Sequence, residues 1–273
     1  MTYRDILVSM DGGEAQAATA RFAADVAAKF GATLIGAYAR SQVGAPFVPP
    51  DVTAALSAAE IQRMVDAYDK AAAAAAEGAR RVFEAAAAEQ EVSSVWDVVS
   101  DSEALAACAR RTDLFILSAA SETARGGLEP ASLAMASGGP AILLPDGAKP
   151  STFRRILVAW NGSREAARAL RSAWPLIGLA DAVDVVMVAR GGADGADGLL
   201  QRHFEHHGVE PNVIVERGGD APVGVLLQRQ VEAARPDLVV MGLYGRPRLQ
   251  EQVLGGVSRR MLDGPRVPLF VSH

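Results

Sequence analysis

The chain has 273 residues, half of them hydrophobic and 22% charged, with a formal net charge of −5. That length suffices for two compact domains at roughly 100–200 residues each, and the acidic balance argues against the basic stripe of a nucleic-acid binder. No uninterrupted apolar stretch approaches the ~20 residues of a membrane span, no basic leader precedes an apolar signal core, and the single cysteine, Cys108, cannot close an internal disulfide. A cytoplasmic protein with Cys108 as a small buried apolar residue is expected.

In chain order, Asp5–Met10 is a near-continuous apolar run, the mark of a parallel strand covered on both faces. A helix is predicted from about Glu14 to Phe30, terminated by Gly31, and Thr33–Ala39 supplies the second strand. Pro49, Pro50 and Asp51 mark a helix start with Asp51 as candidate N-cap, and the helical pattern then runs to about Gln90 with Gly78 as a break. The run Ala71–Ala76 reads as a close-packed helix face, since Val65, Tyr68, Val82 and Phe83 give it apolar contacts. A lid or packing extension is the expected role of this segment, which has no counterpart later in the chain. Val95–Val99, a helix over Ser102–Arg111, Asp113–Leu117 and Ala141–Leu144 complete the first half.

The second half repeats the plan. Ile6-Leu-Val-Ser-Met-Asp11-Gly12 recurs as Ile156-Leu-Val-Ala-Trp-Asn161-Gly162, and Asp113-Leu-Phe-Ile-Leu-Ser118 mirrors Asp237-Leu-Val-Val-Met-Gly242. Strands are expected at Arg155–Trp160, Ala182–Ala189, Asn212–Glu216, Asp237–Gly242 and Pro268–Ser272, with helices at Glu165–Leu176, Gly198–His207 and Pro222–Ala234. A repeat this long means two copies of a domain, and alternating strands and helices without hairpin signals mean doubly wound parallel sheets. The boundary falls in Asp146–Phe153, giving domains 1–148 and 149–273. Ligands of such sheets sit outside the carboxyl ends of the strands, where the exits of the first and fourth strands of each half meet.

At the last of these exits stand Gly242, Gly245, Gly255 and Gly256, with Ser258 on the first turn of a following helix. Glycine lets the backbone approach an anion and aim its N–H groups at it, and a helix start adds its dipole. Arg246 and Arg248 lie inside the loop, and Arg259 and Arg260 beyond it, as candidate phosphate partners or as a solvated surface. The pattern Gly-x2-Gly-x9-Gly followed by a small residue resembles the ATP-binding signature of the universal stress protein family, and the tandem repeat extends the resemblance over most of the chain.

The resemblance implies two tandem α/β domains of five strands each, of the adenine nucleotide alpha hydrolase-like type. It implies ATP or another adenine nucleotide, with or without Mg2+, bound by the second half. Gly242, Gly245, Gly255 and Gly256 would carry the phosphates, Val188 or Ala189 would offer backbone groups to adenine, and Asn161 would face the ribose; Val257 and Ser258 at the helix start and Arg246 in the loop are the further binding candidates that the residues themselves offer. It also implies that the final strands are pairing edges, so that fusion forms a pseudo-dimer within one chain, with a homodimer open.

Two positions depart from the family pattern: Gly256 stands where a hydroxyl residue is usual, and Asn161 where an aspartate is usual. In the first half Asp11 is retained, but Ser118 and Ser121 replace the first two glycines, and Glu129 and Pro130 align with Gly255 and Gly256. A carboxylate and a residue without an N–H oppose anion binding, so the first half is expected to have lost phosphate.

His203 and His207, at i and i+4, are read as an exposed polar helix end rather than a metal clasp, and Ser137-Gly138-Gly139 as a turn. No Walker loop, nucleophile elbow or Ser-His-Asp arrangement appears. The expected function is therefore a non-enzymatic, nucleotide-binding stress-response protein. A slow ATPase or adenylate-transferring enzyme on the same scaffold, and a scaffold that binds no nucleotide, stand as alternatives.

Overall fold

The computed structural model describes residues 2–40, 56–119, 129–150, 152–188, 198–217, 221–243 and 256–273. The strands of the first half are β1 (Asp5–Met10), β2 (Thr33–Ala39), β3 (Ser94–Val99), β4 (Leu114–Ser118) and β5 (Ala141–Leu144). Those of the second are β6 (Arg155–Trp160), β7 (Ala182–Val188), β8 (Asn212–Glu216), β9 (Leu238–Gly242) and β10 (Leu269–Ser272). Helices α1 (Gln16–Phe30), α2 (Ala58–Glu89), α3 (Ser102–Ala109) and α4 (Pro130–Ser137) belong to the first half. Helices α5 (Arg164–Ile177), α6 (Gly198–His206), α7 (Val223–Ala234) and α8 (Gly256–Leu262) belong to the second.

Apolar runs decide the strands. In β1 every residue after Asp5 is buried, and β4, β5 and β10 are buried throughout, because helices cover both faces of the sheet. One core cluster joins α1, α2, α5 and α6 to one face, and the other joins α3, α4, α7 and α8 to the opposite face. Each half has its strands in parallel in the order 3-2-1-4-5, and the two halves form one ten-stranded sheet, β3-β2-β1-β4-β5-β10-β9-β6-β7-β8. The only antiparallel pairing among the described strands is the central one, where Leu269, Phe270 and Val271 of β10 meet Leu143, Ile142 and Ala141 of β5. The two final strands thus complete each other, as expected of pairing edges.

Further contacts bridge the halves. Phe22 on α1 meets Phe153, just before β6, edge to face with ring centroids 5.9 Å apart, and the Tyr3 hydroxyl donates to the Ser172 carbonyl of α5 at 2.6 Å. Burial pushes the Tyr3 hydroxyl pKa up, with the nearby Asp113 carboxylate adding to the shift. Asp113 itself explains one recurring residue of the repeat: its Oδ2 accepts from the N–H groups of Arg4 and Asp5, and Asp237 Oδ2 accepts from Arg155 N–H. Each aspartate pins the start of its half's fourth strand to the start of the first.

The predicted elements agree with the structure to within two residues, the second helix excepted. Gly31 terminates α1 in the left-handed conformation, at φ 59°, as expected. Asp51 lies outside the described residues, and α2 is capped instead at Ser57: the Ser57 hydroxyl accepts from Glu60 N–H while the Glu60 carboxylate accepts from Ser57 N–H. Gly78 does not break α2, which runs unbroken for 32 residues, about 48 Å at 1.5 Å per residue. The alanines Ala72, Ala76, Ala79, Ala86 and Ala87 are its buried face, packed against α1. They hold Phe83 over β2, where a Cβ on Gly36 would lie 2.7 Å from the Phe83 ring. Cys108 is half-buried, not buried as expected, and burial, with Asp97 nearby, pushes its thiol pKa up, away from thiolate chemistry.

Candidate functional site

In the second half the strand order reverses between β6 and β9, both of which run parallel to each other in neighbouring positions. The chain leaving β6 enters α5 on one face of the sheet, while α8, the next described helix after β9, lies on the other. In doubly wound sheets such a divergence at the carboxyl edge is where ligands are held, and here Asn161 follows β6 and Gly242 ends β9.

Asn161 is exposed, and its Oδ1 accepts the Ser163 N–H at 3.0 Å. Asp11 does the same in the first half, its Oδ1 accepting the Gly13 N–H at 2.8 Å. Aspartate and asparagine therefore serve the loop equally, and the difference between them is confined to the second side-chain atom, an acceptor oxygen in Asp11 and a donor nitrogen in Asn161. Ser163 then caps α5, its hydroxyl accepting from Ala166 N–H at 3.1 Å.

Gly242, the last residue of β9, is half-buried, and the reason for glycine there is packing. A Cβ would lie 2.5 Å from the Ala166 nitrogen and 2.6 Å from the Glu165 carbonyl carbon, so only glycine admits the first turn of α5 against the end of β9. Bulk at this position is therefore a packing fault as well as an obstacle to a ligand. Gly256, at the first position of α8, is exposed, and a Cβ there would meet none of the described residues within 4 Å. Val257 is half-buried and Ser258 is buried at 9% exposure. Val188 ends β7, half-buried, in register with Glu216 of β8. Of the other expected site residues, Ala189, Gly245, Arg246 and Gly255 lie outside the described residues, as does Arg248.

Sequence reasoning missed several groups at this edge. Glu165, on the first turn of α5, is 7% exposed, with Arg164 and Arg168 each 4.0 Å from its carboxylate. Arg168 donates to the His273 main-chain oxygen at 2.7 Å, and a His273 ring nitrogen lies 3.0 Å from the Leu243 carbonyl. Leu243 N–H in turn donates to the Ser272 carbonyl, so the first residue beyond β9 is held by the end of β10. Gly224, on α7, was missed too: a Cβ there would lie 3.2 Å from the Gly256 carbonyl and 3.3 Å from Val257 Cα, so α7 and α8 start in close contact. Apart from the local pairing of Glu165 with Arg164 and Arg168, none of these carries a local spacing signal, because the partners are distant in sequence.

The corresponding edge of the first half is built differently. Pro130 takes the first position of α4, as Gly256 does in α8, and Glu129 is its N-cap without a side-chain cap bond. Ser118 ends β4, buried, at the place of Gly242. Tyr38, at the end of β2, is buried, and its hydroxyl pKa is raised by that burial and further by Asp11 and Tyr68. Among the described residues no group of three or more His, Cys, Asp or Glu could hold a metal ion, and no helix is long and apolar enough to cross a membrane.

No protein-family model matches the chain, and no curated protein matches it. Solved structures do. A universal stress protein from Archaeoglobus fulgidus superposes over 98% of this chain and 95% of its own, at a TM-score of 0.73 and 18% sequence identity. A protein of Pseudomonas aeruginosa UCBPP-PA14 described provisionally as a universal stress protein covers 99% and 93%, at 0.60 and 17%. A protein of unknown function from Pseudomonas aeruginosa PAO1 covers 99% and 92%, at 0.58 and 16%. At such identities likeness speaks for the fold, and it does so over the whole chain: this protein has the α/β fold of the tandem universal stress proteins that it resembles.

Proposed function

We propose that this chain binds an adenine nucleotide, ATP or a close relative with or without Mg2+, at the carboxyl edge of its second half, without catalysing its turnover. The observation that carries the reading is the reversal of strand order between β6 and β9, with Asn161 and Gly242 at the two strand exits. The exposed start of α8 at Gly256 is consistent with it, since none of the described residues fills the space a side chain there would take. The glycines Gly245 and Gly255 and the cation Arg246 add the sequence pattern of a phosphate loop. Asn161, with one atom committed to its loop, keeps an Nδ2 donor for a ribose or base acceptor. Glu165 is the opposing charge, and Arg164 and Arg168 beside it offset its field. The first half serves as the fixed pseudo-twofold partner, because Glu129 and Pro130 stand where α8 offers Gly256. Division into domains 1–148 and 149–273 belongs to the same proposal.

The decisive variant is Gly256→Glu. It brings a carboxylate to the start of α8, one residue beyond the place that Glu129 takes before α4, at a position with no positive φ and with room for a side chain among the described residues. Calorimetric titration with ATP, with and without Mg2+, is expected to show at least about tenfold weaker binding, ~1.4 kcal/mol, with the melting temperature unchanged. Unchanged affinity rejects the assignment of the phosphates to this loop. Denaturing the purified protein and identifying any released small molecule tests the nucleotide itself, and phosphate or AMP release above the rate in buffer would turn the reading towards an enzyme.

A further inference from the structure

We infer that His203 and His207 form an exchangeable two-imidazole site for a borderline transition-metal ion, copper(II), nickel(II) or zinc, remote from the strand exits. The two residues are one helical turn apart at the end of α6, and the His207 N–H donates to the Phe204 carbonyl, so the turn continues through His207. Their ring centroids are 4.8 Å apart with the planes at 75°.

What lifts the pair above an ordinary polar helix end is the tryptophan beneath it. Trp174 of α5 stacks on His207 with centroids 4.0 Å apart and planes 15° from parallel, and meets His203 edge to face at 5.5 Å. The same indole contacts the buried ring of Phe204 at 5.0 Å, which ties it to the core. Stacking covers a face of the imidazole, whereas the lone pairs that bind metal lie in the plane of the ring and emerge at its edge. The indole therefore restricts the rotamers of His207 without blocking its donor atoms, which lowers the entropy lost on chelation. Both histidines are exposed, so an ion has access from solvent.

The donor set defines the class of ion. Two neutral nitrogens suit copper, nickel and zinc, with copper(II) tightest, and do not suit magnesium or calcium, which take oxygen ligands. With no third His, Cys, Asp or Glu completing a group among the described residues, water fills the remaining positions. The ion is therefore exchangeable, unlike zinc in a closed four-ligand structural site. Glu205, the neighbouring carboxylate, is held by Gln201 at 3.2 Å. Arg171, one turn before Trp174 on α5, adds positive charge that keeps the affinity moderate. Trp174 lies about 15 Å along α5 from Arg164 at the carboxyl edge, so the ion does not share the proposed nucleotide site.

Tryptophan fluorescence of the full chain reads the site, because copper(II) and nickel(II) quench an indole in contact with their ligands. Saturable quenching is expected, absent in Trp174→Phe, reversed by excess zinc and not produced by magnesium. His203→Gln and His207→Gln are each expected to weaken it about tenfold or more, and His206→Gln to leave it unchanged. Equal quenching in the His203→Gln/His207→Gln double variant, or an equal loss in His206→Gln, overturns the assignment. Zinc-induced shifts of the histidine ring resonances in the unaltered protein give a check free of mutation: His203 and His207 are expected to move, and movement confined to other histidines overturns it. Neither readout depends on nucleotide, so the two proposals fail separately.

Discussion

Single residues at the carboxyl edge divide by what surrounds them, and glycine shows this most clearly. Gly242 is irreplaceable because the backbone of Glu165 and Ala166 occupies the space of its missing Cβ. Gly242→Val is expected to cost about 1–3 kcal/mol as an overpacking substitution or to displace α5, read as a lowered denaturant midpoint. Gly256→Glu is expected to stay within about 0.5 kcal/mol of the parent, as a surface substitution away from packing. Ser163→Ala removes the cap of α5 and is expected to cost about 1 kcal/mol. Gly242 opens the motif Gly-x2-Gly-x9-Gly as a packing glycine and Gly256 follows it as an open one, and spacing alone does not separate the two.

Elements end where local chemistry ends them. Helix α2 starts at Ser57 because Ser57 and Glu60 cap each other, a signal as local as the Pro-Pro-Asp run and stronger, since both orphan N–H groups are satisfied. It passes through Gly78 because the flanking alanines are buried against α1 and outweigh the roughly 1 kcal/mol of a helical glycine. Helix α3 begins at Asp101, whose carboxylate accepts the Ala104 N–H at 2.9 Å and the Ser100 hydroxyl at 3.0 Å. These bonds, the backbone one first, lower the Asp101 pKa. A lowered folded-state value means that the cap stabilises above the unfolded value and is lost as pH falls from about 4 through the folded one. Faster amide exchange at Ala104 is expected over that window, and exchange independent of pH once the intrinsic rate is divided out contradicts it. At the outer edge of the sheet, Asp97 Oδ1 accepts the Val98 N–H of β3 at 2.8 Å, occupying a donor that would otherwise be open to another strand.

Across the whole molecule the seam between β5 and β10 decides the architecture. Ile142 and Phe270 are fully buried on one face of it, Leu143 and Leu269 on the other, so neither strand is stable as a free edge. Separately produced chains 1–148 and 149–273 are expected to recombine one to one when mixed, or to self-associate through the same strands when alone. Light scattering measures this, and two soluble monomers that ignore each other would contradict the seam. Phe22 against Phe153, and Tyr3 on Ser172, add contacts across the halves that self-association of either half would lack.

The amino-acid sequence by itself determined the element order, the duplication and the class of sheet, because apolar periodicity and repeated runs such as Ile6–Val8 and Ile156–Val158 are local records of burial. It also placed the paired final strands, through the resemblance that the motif carries. Tertiary structure alone decided what Gly242 is for, that Glu165, Arg168 and His273 gather at the same edge, and that Trp174 lies under two histidines about thirty residues further along. Periodicity reports which side of an element is buried; which neighbour fills that side depends on chain segments brought together by the sheet order, and no spacing rule within one element encodes them.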